Sequence, residues 1–356
     1  MKSVQSLRRK RELERQVVGF SVSCDDTDAA ARGIGAEHLR EALIQMARPL
    51  LRAGATIAYG GSFRSMGPPK INFTLEILQL IREELQESVR APTGDEQRIG
   101  GLLNHQAWPN YLAVSKADEA EWVNSCQIVR VAQAMAGFSE PDVLPDLPVD
   151  DNSAQRKVHT AICLSAMRRI MARGCSIPVD GVPDASARKV PPVSARIALG
   201  GKMHGFVGVM PGIFEEVLCA ADARAEGSLD RPLYLLGGFG GATGCLASAI
   251  TSPKGIERAE FQLGSYEKGP NAECYRDLLT AWGKHEGHLP TDCRSPPQAF
   301  AALRSHLERA REAPEEFFQN GLEKAENDRL MTTVDPLEAS RLVLKGLNQF
   351  NKWRAD

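Results

Sequence analysis

Residues 195–201, ARIALGG, and residues 231–243, RPLYLLGGFGGAT, decide how the rest of the chain is read. Each is a short apolar run that ends in a glycine pair, and each is followed by helical text. Phe214–Arg224 is the helix after the first run, entered through the turn Pro211-Gly212. Ala242–Ile250 is the helix after the second. Val17–Ser23, VVGFSVS, is a strand by the same criteria, and Cys24-Asp25-Asp26-Thr27-Asp28 changes the character abruptly, with Gly33 and Gly35 loosening the loop. A helix over His38–Arg52 follows, with Pro49 expected to bend or shorten it. The stretch ATIAYGG at 55–61 is a further strand ending in Gly60-Gly61, and Asn72–Gln86 a further helix. Strands alternating with helices predict βαβ units, hence an α/β fold: a Rossmann-like open parallel sheet with flanking helices.

Outward from these segments the text is less regular. Residues 88–115 are broken by Pro92, Gly94, Gly100 and Gly101 and end in a strand-like YLAVS. Residues 118–135 read as helical or mixed, and 137–153 as a polar, proline-bearing loop or lid. Arg156–Ala172 is a helix, and 174–193 a Pro/Gly-rich connection. From Pro253 onward charged helical text dominates. The expected division is a basic N-terminal arm over 1–16, a nucleotide-binding domain over 17–254 and a helical C-terminal region over 255–356, the last a candidate for self-association.

Forty-three basic against 45 acidic side chains give a formal charge of −2, which argues against a nucleic-acid coat while leaving room for a local positive pocket. The cluster Arg8-Arg9-Lys10-Arg11 is followed at once by Glu12 and Glu14 and reads as a solvated helix or arm. No run of 18 apolar residues suggests a membrane span, and no apolar stretch near Met1 suggests a secretory signal. The 8 cysteines are scattered without a CxxC pair, which fits reduced thiols and a cytoplasmic protein. The total of 31 glycines is only slightly above the usual level, so their placement carries the information.

Glycine pairs at the carboxyl ends of parallel strands lie where open α/β folds bind ligands. Backbone amides at a following helix start can hold phosphate. Gly60-Gly61, Gly200-Gly201 and the run Gly237-Gly238-Phe239-Gly240-Gly241-Ala242-Thr243 are therefore candidate ligand-binding positions, or simply tight strand-to-helix turns. Neither GxGxxG nor GxxxxGK[ST] is present at these turns, so a standard dehydrogenase or P-loop NTPase is not indicated. Lys202 adds a cation beside one turn. Arg168 or Arg169 can reach a phosphate bidentately. Glu215 and Glu216 enter a helix after Pro211-Gly212, either as a favourable charge at its N-terminus or, for the one that points inward, as ribose ligand or acid/base. Asp25, Asp26 and Asp28 could bind ribose, a metal or a catalytic water, or cap a helix, and further metal ligands are not evident. His204 lies between two glycine turns, and Tyr59 and Phe239 could flank a base or pack in the core.

Taken together, SVSCDDTD at 21–28, AYGGSFRSMG at 58–67, AMRR at 166–169, ALGGKMHGFVGVMPGIFEE at 198–216 and YLLGGFGGAT at 234–243 resemble the SLOG superfamily. This Rossmann-like group includes the LOG phosphoribohydrolases and DprA-like proteins. The likeness is nearest to its nucleotide-sensing domains, of the kind related to TRPM channels and bacterial immune proteins, and it covers about residues 17–250. It implies an adenine-nucleotide, ADP-ribose or NAD-derived ligand, with Gly60, Gly61, Arg64, Gly212 and the other glycine turns near its phosphates. The alternative it implies is N-glycosidic hydrolysis needing no metal, with Glu215 or Glu216 activating water and Arg168 or Arg169 holding phosphate. Ile213-Phe214 stand where LOG enzymes carry a second glycine and a Gly-Thr step, which favours binding over cleavage. A DprA-like DNA-binding reading is third.

Overall fold

The computed structural model describes residues 13–14, 16–63, 71–90, 100–146, 153–177, 187–226, 231–252, 254–268, 272–291 and 293–355. Within these, six parallel strands form one sheet in the order β4-β3-β2-β1-β7-β8. They are β1 (Val17–Ser23), β2 (Thr56–Tyr59), β3 (Leu102–Ala107), β4 (Cys126–Val131), β7 (Ala195–Gly200) and β8 (Leu233–Leu236). The chain starts at the sheet centre, winds outward to β4, then crosses back to lay β7 against the open side of β1. The crossover passes through α5 (Ala154–Arg173) and a small antiparallel hairpin, β5 (Cys175–Ile177) with β6 (Arg188–Val190). β1 thus lies between β2 and β7, and the winding direction reverses at its carboxyl end, where crevices open in such sheets.

The sheet alternates strictly across its pleat. Val18, Phe20, Val22, Ile197 and Leu199 face α2 (Ala36–Arg52), α3 (Phe73–Arg90) and α13 (Pro336–Ala355). Ala198, Leu233 and Leu235 face α6 (Gly212–Ala225), α7 (Gly241–Thr251) and α10 (Pro296–Glu312). α6 is buried on nearly all sides between the sheet, α5, α7 and α10, which explains the absence of a polar stripe along it.

The helices after residue 254 pack into both layers. Phe261, Phe300 and Leu303 share one core with Phe214 and Leu246, while Leu342, Val343 and Leu347 share the other with Leu39, Leu43 and Met46. Asn320 donates to the Leu233 carbonyl at 2.9 Å, and Tyr234 donates to the Asn320 carbonyl at 2.9 Å. α13 also resolves the proline in α2. The helix runs through Pro49, and the Gln45 carbonyl that Pro49 cannot satisfy accepts the Ser340 hydroxyl at 3.0 Å.

Two sequence expectations change. Residues 111–115 are not a strand; Asn110–Ala113 is a 3-10 turn, and the third strand is LLNHQA at 102–107. Residues 118–135 split into α4 (Lys116–Trp122) and the edge strand β4. The polar residues of β3 are used structurally: Asn104 and Gln106 both donate to the Gly61 carbonyl. No helix among the described residues is long and apolar enough to cross a membrane.

Candidate functional site

Three loops meet at the carboxyl ends of β1, β2 and β7. Gly200 and Gly201 have φ of +64° and +107°, the left-handed region that glycine alone enters freely. The reversal lets the Gly201 amide donate to the Ser23 carbonyl at 2.6 Å and the Lys202 amide donate to Ser23 Oγ at 3.1 Å. The Lys202 side chain is exposed at the rim and its charge reaches Cys24. Burial, aided by Asp26, nevertheless pushes the Cys24 thiol up to about 12, so it stays protonated and unreactive. Gly60 is exposed, and a side chain there would approach Met167 Cε at 3.0 Å. Tyr59 donates to the Val22 carbonyl at 3.0 Å and packs among the core residues.

The aspartates after β1 act as backbone clamps. Asp25 caps α1 (Asp26–Ala31) by accepting the Asp28 amide at 3.2 Å. Its other oxygen accepts the Met203 amide at 3.1 Å and so holds the loop after β7. Asp28 accepts the Gly241 amide at 2.5 Å and the Arg32 guanidinium at 2.9 Å. Asp26 is exposed on α1.

The turn 237–243 is therefore closed upon itself. The Gly241 amide goes to Asp28, the Ala242 amide goes to the Gly201 carbonyl at 3.0 Å, and the Gly240 amide goes back to Gly237 at 3.0 Å. Gly237 lies so near α12 (Lys324–Thr332) that a Cβ would meet the Met331 carbonyl at 2.5 Å, and Gly238 abuts the Thr333 carbonyl more closely still. Phe239 is buried beside the His38 ring. Thr243 is fully buried, and its hydroxyl has no hydrogen-bond partner among the described residues.

The two glutamates of α6 are both turned inward. Arg168, from α5, donates to Glu215, and its Nε stands 4.0 Å from Glu216. Gly208 and Gly212 make room for this guanidinium: a Cβ on either would come within 2.8 and 2.9 Å of its terminal nitrogens. Glu216 accepts from the Ser21 hydroxyl and from Arg196 Nη1 at 2.5 Å, and that same nitrogen lies 2.8 Å from Ser21 Oγ. Arg196 is only 2% exposed. Opposed charges at this distance in a low-dielectric interior repay their desolvation only because the geometry is close. Near Arg196 lies His105, whose ring burial pulls down to about 4.

Of the residues singled out from the sequence, Arg168 meets Glu215 and Gly212, while Gly200, Gly201 and Lys202 lie in the loop after β7, against Ser23. Arg169 projects instead onto the outer flank of α5 and α6. Arg64, Gly67 and residues 1–12 of the basic arm expected over 1–16 lie outside the described residues. Ser21, His105 and Arg196 were not anticipated. The available signal, for Ser21 and Arg196, was a polar side chain within a strand, on the face opposite Phe20 and Ile197.

A family model, SLOG cluster2, matches residues 12–179 and 188–330. The chain belongs to the SLOG family. SLOG proteins form a nucleotide-sensing, LOG/DprA-like superfamily, and the six-stranded parallel sheet agrees with its Rossmann-like fold. The match runs beyond residue 254 through most of α12, in line with the packing of those helices on the sheet. No curated protein matches the chain.

Proposed function

We propose that this SLOG protein binds and reads an adenine-nucleotide, ADP-ribose or NAD-derived ligand at the rim formed by β1, β2 and β7. The observation that carries the choice of binding over cleavage is the double ion pair under the rim. Glu215 is held by Arg168, and Glu216 by Arg196 and Ser21. A carboxylate that activates water must face water and the ribose, and must exchange a proton near neutral pH. Both carboxylates are instead turned onto guanidiniums, which hold them in place.

The ligand's phosphates belong on the Lys202 side. Lys202 is exposed there, and the first turn of α6 supplies helix-terminal amides beside Gly212. The 237–241 turn is a poorer phosphate seat, because the Asp28 carboxylate already takes the Gly241 amide. Its glycines serve close packing of the loop after β7 and of α12.

Titration calorimetry with ADP-ribose, cyclic ADP-ribose, NAD and AMP tests the reading. At least one ligand is expected to bind, with affinity falling about tenfold in Lys202→Ala, the loss of one charge-assisted contact. Absence of heat with all four ligands refutes it. Chromatography of the same mixtures is expected to show no free base. Base release that disappears in Glu215→Gln or Glu216→Gln would replace the binding reading with the hydrolase.

A further inference from the structure

A second polar site lies on the other side of α6, away from the strand ends. Ser165, Arg169 and Arg173 recur every fourth residue along α5 and line one side of a cleft of about 260 Å³. Glu215, Asp222 and Glu226 line the other side from α6, and Arg294, just before α10, covers the mouth. Two packed helices would gain more stability from an apolar seam than from this one. The seam is instead built of charges in register: Arg173 pairs with Glu226, and Arg294 forks onto both oxygens of Asp222.

The charges at the mouth are mutually paired, while the floor keeps hydrogen-bonding capacity in reserve. Ser165 is buried, and its hydroxyl has no hydrogen-bond partner among the described residues. Glu215 gives Oε2 to Arg168, and its Oε1 has no protein donor among the described residues. Leu218, Cys219 and Ala299 supply apolar wall between floor and mouth. A buried hydroxyl left unmatched is costly unless something meets it. Glu215 can meet a hydroxyl donor. Guanidiniums at the mouth, which carry more N–H groups than their carboxylate partners use, can meet an oxyanion.

The cleft is also wired to the C-terminal helices. Asp222 Oδ1 lies 3.0 Å from His306 Nε2, and Arg309 Nη2 lies 2.8 Å from His306 Nδ1. Whatever engages Arg294 acts on the same carboxylate that anchors α10.

We propose that this flank cleft between α5, α6 and α10 is a binding site, separate from the rim, for a small oxyanion that also carries hydroxyl groups. The hydroxyls meet Ser165 and Glu215, and the oxyanion meets Arg173 and Arg294. The volume suits a molecule of about a dozen heavy atoms and is too small for a dinucleotide.

Calorimetry on the full chain with glycerol 3-phosphate, L-tartrate and inorganic phosphate tests this. Glycerol 3-phosphate or tartrate is expected to bind at least about tenfold tighter than inorganic phosphate. That affinity is expected to fall by a similar factor in Ser165→Val and in the double variant Arg173→Ala/Arg294→Ala, and to stay unchanged in Lys202→Ala. Unchanged binding in both flank variants overturns the proposal, as does loss of binding in Lys202→Ala alone, which would place the anion at the rim. No heat from any of the three probes up to roughly 10 mM overturns it as well. Since Ser165→Val leaves every ion pair in place, it keeps the test valid if the double variant folds poorly. The site can fail while nucleotide binding at the rim stands, and the reverse.

Discussion

Replacing Glu215 by Gln tests whether the carboxylate nearest the family's proposed chemistry is structural in this chain. The change keeps the side-chain shape and removes the charge opposite Arg168, whose side chain is 11% exposed. Breaking a buried ion pair by removing one partner costs about 3–5 kcal/mol. The loss is expected at the lower end, because Glu216 stands 4.0 Å from Arg168 Nε and remains a counter-ion. At that separation and an effective dielectric near 20, the residual attraction is of order 4 kcal/mol before desolvation, enough to keep the guanidinium in place. A net loss of about 3 kcal/mol, set against an unfolding entropy of roughly 0.7 kcal/mol per kelvin for a chain this size, lowers Tm by about 4 °C. The assay is thermal and urea unfolding of wild type, Glu215→Gln, Arg168→Met and the double variant Arg168→Met/Glu215→Leu. Both single variants are expected to lose stability, and the double variant is expected to regain most of it, since no charge is then buried alone. A Glu215→Gln protein that melts within about 1 °C of wild type would refute the reasoning. The carboxylate would then be poised for chemistry, and the hydrolase reading would gain.

Stability should fall as the solution is acidified from about pH 6.5 to pH 4, because His105 and His159 are neutral in the fold and burial holds both down to about 4. Nearby Arg196 adds to the effect at His105, and His285 adds to it at His159. An unfolded histidine takes its proton near pH 6.5, so the unfolded state binds more protons across this window and stability is lost as pH drops, by up to roughly 3 kcal/mol per ring. Melting curves at pH 7.5 and 5 should show the loss, and His159→Gln should shrink it by about half; an unchanged pH slope in that variant counts against the assignment. Gly238→Ala should lower stability by more than about 2 kcal/mol, since the new Cβ is driven into the Thr333 backbone, and should speed proteolysis after α12; wild-type protease resistance would contradict it. Ser340→Ala should cost about 1 kcal/mol in urea unfolding by orphaning the Gln45 carbonyl, and no change would mean that water reaches the carbonyl.

The strands that close on a glycine pair were legible because their text is apolar and their stop signal is sharp. β1 was read over its full span, and β2, β7 and β8 to within about two residues. β3 and β4 escaped for opposite reasons. LLNHQA carries three polar side chains in succession, and only the Gly61 carbonyl, brought there by the fold, gives Asn104 and Gln106 a reason to be buried. CQIVRV is an edge strand with exposed Arg130, short of the continuous apolar run that marks a buried parallel strand. The helix α6 misled in one respect. Adjacent residues 100° apart were expected to send only one glutamate inward, yet both point in, because the helix is enclosed on nearly every side.

Local pattern sufficed for what depends on neighbours along the chain: the alternation of strand and helix, the family signature, and the glycine pairs at the ends of β2, β7 and β8. What each group does there was set across the chain. Asp25 and Asp28 became clamps only when Met203 and Gly241 arrived from more than 170 residues away. The glycines at 237–238 became packing surface only when α12 returned to the sheet. Glu215 and Glu216 became ion-pair partners only when α5 and β7 brought Arg168 and Arg196 to them. A carboxylate or an amide has the same letter whether it is free or spent, and the partner that spends it is a long-range contact that no local sequence window contains.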